Sequence, residues 1–203
     1  VSSVAIAPDG RTLASGGYEG QIRLWALPTG EPLATLQGHE KNVACVTFAP
    51  DGQTLASGGV GDAIRLWSIP SGAPRRALSG HKGAVIRLAF APDGRTLASA
   101  GHEGTIKLWQ TADWQVARTL TLGARGVYPL AFAPDGQTLA AGMDHQVSLW
   151  TVAEGTLIQT LSFKAKGIYA LAFSPTGRWL AVGAADKKIY VWENDQKLTG
   201  NNA

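Results

Sequence analysis

Five near-copies of one phrase follow each other about every 42 residues along this chain, inside the roughly 20–50-residue period that marks repeat architectures. Each copy opens on a short apolar run that enters a turn. The turns are Ala7-Pro8-Asp9-Gly10, Ala49-Pro50-Asp51-Gly52, Ala91-Pro92-Asp93-Gly94, Ala133-Pro134-Asp135-Gly136 and Ser174-Pro175-Thr176-Gly177. The third run of each copy closes on an aliphatic–tryptophan pair, at Trp25, Trp67, Trp109, Trp150 and Trp192. Repeats of this kind stack without linkers, so a single domain is expected over 1–203. Phased on the apolar runs, the repeats fall at about 1–38, 39–80, 81–122, 123–163 and 164–192, with a polar tail at 193–203.

The second repeat shows the local logic. Val43–Phe48 is an apolar, β-rich run, and Pro50-Asp51-Gly52 is turn chemistry, since proline presets φ and glycine accepts a positive one. Thr54–Ser57 and Ala63–Trp67 read as the second and third strands, and Arg75–Leu78 as a fourth, more polar one. Gly58–Asp62 is expected as a tight connection that recurs because the turn needs glycine. Glycine and proline interrupt every candidate helical window. A four-stranded meander has two faces to bury. Packing such sheets around an axis covers both, which gives an all-β propeller with one blade per repeat.

The composition narrows the function classes. The chain is 45% hydrophobic and 16% charged with a net charge of +3, and no Lys/Arg block is longer than the pairs Arg75-Arg76 and Lys187-Lys188. Nucleic-acid binding usually needs a more concentrated basic footprint. Cys45 is the only cysteine, so no intrachain disulfide forms and a reducing, cytoplasmic setting is expected. Cys45 reads as a buried structural thiol. No apolar stretch reaches the roughly 18 residues of a membrane span.

At this point the residues resemble the WD40 family over essentially the whole chain. Gly38-His39 and Gly80-His81 supply the Gly-His pair of that family's signature. The tryptophan recurs five times but is followed by Ala26, Ser68, Gln110, Thr151 and Glu193 instead of aspartate. The resemblance implies four-stranded blades, five of them visible, in a larger ring of about seven. It also implies a hydrogen-bonded set of His, Ser, acid and Trp. The matching residues are His81, Ser99, Glu103 and Trp109 in the third repeat, and His39, Ser57 and Trp67 in the second. The fourth repeat keeps Asp144 and Trp150 but has Gly123 and Ala141 for the His and Ser; the fifth keeps Asp186 and Trp192 with Lys164 and Val182. His and Ser are lost together, as expected of partners, because a buried unpaired polar group costs about 1–3 kcal/mol. The fourth repeat is also one residue short between Pro134 and Trp150, so a tighter second turn is expected.

The chain opens at a first strand, and Glu193–Ala203 lacks the apolar fourth strand seen in Leu33–Leu36. The expectation is that missing blades come from the same chain or another copy. No Cys/His grouping has metal-ligand spacing, no Gly-Lys-Ser/Thr follows the glycine pairs, and Ser57, His39 and Asp62 match structural positions. The expectation is therefore no cofactor, no metal and no catalysis. A non-catalytic scaffold or sensor that binds protein fits best. The alternatives are a sensing arm of a larger bacterial signalling enzyme and a self-assembling fragmentary propeller. In the family, partners often dock on the loops that enter the first strands and join the second and third. The matching residues are Tyr18, Lys41, Ile86, Arg87, His102, Arg125, Tyr128, Met143, Lys166 and Tyr169. An aromatic centre with a basic rim suits an acidic peptide or protein loop.

Overall fold

The computed structural model describes residues 1–61, 63–123 and 129–193; Asp62, Arg125 and Tyr128 lie outside the described residues. Every regular element among them is a strand. The chain divides into two compact units, Val1–Arg125 and Gly126–Ala203.

The first unit holds three antiparallel sheets. The first is β1 (Ser3–Ile6), β2 (Thr12–Gly16), β3 (Ile22–Ala26) and β4 (Pro32–Leu36). The second is β5 (Val43–Phe48), β6 (Thr54–Gly59), β7 (Ala63–Ser68) and β8 (Pro74–Ser79). The third is β9 (Val85–Phe90), β10 (Thr96–Gly101), β11 (Thr105–Gln110) and β12 (Val116–Thr121). Strands pair in sequence order, so each sheet is a meander of local connections.

Each sheet has a light face and a heavy face. Ala14, Ile22, Leu24 and Leu36 of the first sheet pack on Val43, Val46, Phe48, Leu55 and Trp67 of the second. One residue on, the second sheet turns Ala56, Ile64, Leu66 and Leu78 towards Val85, Leu97 and Trp109 of the third. The side-chain period of two in a strand is what sends alternate residues to opposite neighbours. Burying one such aliphatic side chain stabilises by about 1.5–3 kcal/mol. Each fourth strand buries one leucine, Leu36, Leu78 or Leu120, and its other residues are exposed or half-buried.

The glycine pairs correct the turn reading made from sequence. Gly16 ends β2, and Gly58 and Gly59 lie in β6. A Cβ on Gly16 would stand 2.6 Å from Val43 Cγ1, and one on Gly58 2.6 Å from Val85 Cγ1. Glycine is there because the next sheet's valine sits in the notch. Positive φ matters elsewhere. Gly30 and Gly72 adopt φ 76° and 71° in the turn after the third strand, and Trp114 takes the same turn at φ 62°. Its ring is held edge-on to Phe90, which compensates a conformation that is strained for a non-glycine residue.

The Pro-Asp-Gly turns also nest. Asp9, Asp51, Asp93 and Asp135 each accept a backbone hydrogen bond from the residue two places on. The α-carbons of Gly52 and Gly94 face the preceding repeat's Pro8 and Pro50, whose Cδ would lie 3.7 Å from an added Cβ. At the closing tryptophan a register shift falls between Leu and Trp in four sheets. Such bulges re-aim a side chain.

The second unit holds β13 (Leu130–Phe132), β14 (Thr138–Met143), β15 (Gln146–Thr151) and β16 (Leu157–Ser162), then β17 (Ile168–Phe173), β18 (Trp179–Ala184) and β19 (Ile189–Glu193). The first four form one sheet, and the last three form a sheet that is three-stranded among the described residues. Ala140, Val147 and Leu149 pack on Ile168, Leu180 and Val182. Met143 pairs with Gln146, so the shortened second turn has two residues, with Asp144 at φ 42°. A Cβ on Gly142 would stand 2.7 Å from Ile168 Cγ2, whereas at Gly183 the nearest atom is Ala170 Cβ at 3.4 Å. Among the described residues, no helix is long and apolar enough to cross a membrane.

Adding one methyl group at equivalent glycines should therefore give unequal results. Gly58→Ala should destabilise by about 1–3 kcal/mol, as overpacking does, while Gly183→Ala in dilute solution should stay within about 0.5 kcal/mol. Chemical denaturation of the two variants reads the difference.

Candidate functional site

Two constellations carry polar chemistry: an internal hydrogen-bonded set in the sheets and the loop face beside it. In the third sheet, His81 Nδ1–H donates to Glu103 Oε1 at 2.6 Å. The Ser99 hydroxyl, 2.7 Å from His81 Nε2, donates to it and accepts the Trp109 Nε1–H at 2.8 Å. Thr105 Oγ1 adds a 2.7 Å bond to Glu103 Oε1. The order of groups is that of a nucleophilic serine set, but Ser99 has no exposed surface and its oxygen already accepts the indole proton. A reacting carbonyl cannot reach it. The set braces the loop before β9 against β10 and β11.

The second sheet repeats the brace without the acid: His39 Nε2 lies 2.7 Å from Ser57 Oγ, which accepts from Trp67 Nε1 at 2.8 Å. In the first, Ser15 accepts from Trp25 at 2.8 Å.

The second unit differs. With Ala141 at the serine position, the buried Trp150 Nε1 has no hydrogen-bond partner among the described residues. Asp144 is exposed in its turn. Asp186 accepts a 2.6 Å bond from Tyr190 Oη, and Trp192 packs on the sheet core with Phe173. Tyr190 was missed by sequence reasoning. Its place, matching Arg23, Arg65 and Lys107, was the only available signal.

Burial lowers the His81 pKa, partly opposed by Glu103. Burial and then Arg65 push His39 down to about 4. For Glu103, burial alone would favour the protonated form, but hydrogen bonds from Thr105 and His81 outweigh it and hold the carboxyl at about 2. Burial pushes the Cys45 thiol up to about 12, which leaves it inert as a nucleophile.

On the loop face of the first unit, Tyr18 follows β2 and Lys41 precedes β5, both exposed. Their segments adjoin, because Val43 N–H donates to Gly17 O at 2.9 Å. His102 is exposed in the turn after β10, while Ile86 is buried and Arg87 is half-buried with its guanidinium donating to Ile86 O at 2.7 Å. In the second unit, Met143 is half-buried, and Lys166 and Tyr169 are exposed. Gly167 N–H donates to Asp144 O, joining that loop to the turn after β14. Among the described residues, no three His, Cys, Asp or Glu side chains group as a metal site would need.

The repeated meander with its Trp-anchored serine defines a WD-repeat blade. The WD domain, G-beta repeat family matches the chain at residues 1–26, 30–68, 72–110, 118–151 and 155–193, and the chain belongs to that family. The fold is of the β-propeller type, and the family is one of protein-interaction scaffolds. Among curated proteins, the chain is similar to transducin beta-like protein 3 of Bos taurus and of Homo sapiens. Each is 41% identical over 46 residues, which is 23% of this chain and 6% of the relative.

Three outcomes follow from this geometry. Ser99→Ala should strand both His81 and Trp109 and cost at least about 1–3 kcal/mol, whereas Ala141→Ser should give Trp150 an acceptor and stabilise by about 0.5–1.5 kcal/mol. Thermal melts compare them. His39 and His81 are lowered in the folded state, so the unfolded chain takes protons that the folded chain refuses. Stability should be full above the unfolded value of 6.5 and fall as pH drops towards about 4. A His39→Asn/His81→Asn variant should show a flatter profile over that window in pH-dependent denaturation.

Proposed function

We propose that this chain is a protein-binding scaffold that takes an acidic peptide or protein loop on the loops that enter its first strands and join its second and third. The supporting observation is the exposure of tyrosine beside lysine in both units: Tyr18 with Lys41, and Tyr169 with Lys166. Exposed large aromatics anchor interfaces, because they cover much apolar area at low entropic cost. Neither lysine enters an ion pair among the described residues, so both are available to a carboxylate. Rim cations of this kind raise the association rate and select acidic partners. Arg125 and Tyr128 extend the same reading from sequence position.

The test is selection of peptides from a random library on the immobilised chain. Enriched peptides should be acidic. Lys41→Glu, Arg125→Glu and Lys166→Glu together should weaken their binding at least about tenfold, or about 1.4 kcal/mol. Unchanged affinity in the triple variant overturns the reading.

A further inference from the structure

The second and third sheets differ most beside their histidine rings. In the third, Glu103 and Thr105 fill that space: Glu103 Oε1 accepts from His81 Nδ1–H at 2.6 Å and from Thr105 Oγ1 at 2.7 Å. One repeat earlier the matching residues are Gly61 and Ala63, which bring no side-chain oxygen and a single methyl group. The space is a cavity of about 150 Å³, lined by His39, Glu40, Val60, Gly61, Ala63 and Arg65. An added Cβ on Gly61 would meet nothing within 4 Å. The volume is several times the roughly 30 Å³ share of one water, enough for a carboxylate and the methylene that carries it.

Two donors line this cavity. Ser57 Oγ accepts the Trp67 Nε1–H, so its own hydrogen goes to His39 Nε2, 2.7 Å away. A neutral imidazole that accepts at one nitrogen carries its hydrogen on the other, which is Nδ1. Among the described residues, His39 Nδ1 has no acceptor. Arg65 is half-buried. Its Nη1 would stand 3.3 Å from a Cβ built on Gly38, so the guanidinium lies against Gly38, next to His39. It enters no ion pair among the described residues. Burial and then Arg65 hold His39 down to about 4, so at neutral pH the ring is uncharged and the positive charge is that of Arg65. Glu40 is exposed at the rim and opposes an incoming anion.

We propose that this cavity binds one carboxylate, which accepts the His39 Nδ1–H and pairs with the Arg65 guanidinium. The third sheet supplies the argument for that chemistry. There a ring held by the same serine and tryptophan partners donates to a carboxylate of its own chain, at the place that Gly61 and Ala63 leave open in the second. Arginine adds a charge-assisted bond, about twice as strong as a neutral one. The carboxylate comes from a free small molecule or from an aspartate or glutamate side chain of a bound peptide. The peptide source rests on the acidic-partner function proposed for the chain; the cavity does not.

The experiment is ring-nitrogen NMR of the whole chain, titrated with N-acetyl-glutamate amide at constant ionic strength. N-acetyl-glutamine amide and chloride are the controls, and His81 Nδ1–H, bonded to Glu103, is the internal standard. The glutamate should move the His39 Nδ1–H signal downfield towards that of His81, and the controls should not. R65Q should weaken binding at least about tenfold, and E40Q should tighten it by about a few-fold. The turn graft V60H/G61E/D62G/A63T gives the second repeat the third repeat's residues. It should bring the His39 signal to the His81 position without added ligand and abolish binding. Asp62 lies outside the described residues, and D62N should bind as wild type does. Circular dichroism and melting check that each variant is folded. No response of His39 to the glutamate, an equal response to either control, or unchanged binding in R65Q overturns the proposal. So does binding seen in D62N alone, which gives the cavity to the chain's own aspartate. Acidic peptides from the library selection should move the same His39 signal and lose about tenfold in affinity in R65Q. Peptides that bind without moving it leave the free carboxylate as the ligand. A chain that selects no acidic peptide yet binds the glutamate at His39 overturns the acidic-partner function and leaves the cavity standing.

Discussion

Everything in this fold depends on one contact: a sheet face of small and aliphatic residues pressed on a sheet face of valine, phenylalanine, leucine and tryptophan. The light face must be light. Ala14 and Ala56 are fully buried on their second strands, and two residues on stands a glycine, Gly16 or Gly58, that admits a valine from the neighbouring sheet. A larger side chain at either place would hold the sheets apart and expose both cores. Interiors pack as densely as organic crystals, so the approach of the sheets is set by these few positions.

The hydrogen-bonded sets act on a different link of the chain of cause. They add little to burial but fix which loop sits over which sheet. Ser99 is the hub, because one hydroxyl satisfies both an imidazole and an indole. Glu103 then fixes the imidazole tautomer and stays ionised doing so. The second unit dispenses with this arrangement. Its Trp150 keeps the bulge and the packing while its N–H goes unpaired among the described residues, and Asp186 finds Tyr190 instead of a histidine.

The strands, their order and the turns were legible in the sequence because they rest on local rules. Proline and glycine fix the turns at Pro50-Asp51-Gly52, and a short continuous apolar run marks β5. The pairing of His81 with Ser99 was legible only through the family resemblance, since 18 residues separate the two. What sequence misjudged was the glycines. Gly58 looks like turn chemistry in one dimension, and its real partner is Val85, which lies in the next repeat. Ile86 had the residue type of an interface anchor, yet it is buried, because burial depends on which neighbours the fold brings over a strand. Tyr190 was invisible for a related reason: its bond to Asp186 spans a turn whose shape the residue types alone do not dictate.

The nested turns have a consequence for how such a chain changes over generations. Gly52 faces Pro8 and Gly94 faces Pro50 through the same 3.7 Å approach, so the junction between neighbouring repeats within the first unit is nearly one junction used again. Recombination between two like stretches of coding sequence can add or drop a whole repeat. The new neighbours then meet through side chains that were already matched to each other. The number of repeats is thus a freer variable than the content of any one of them.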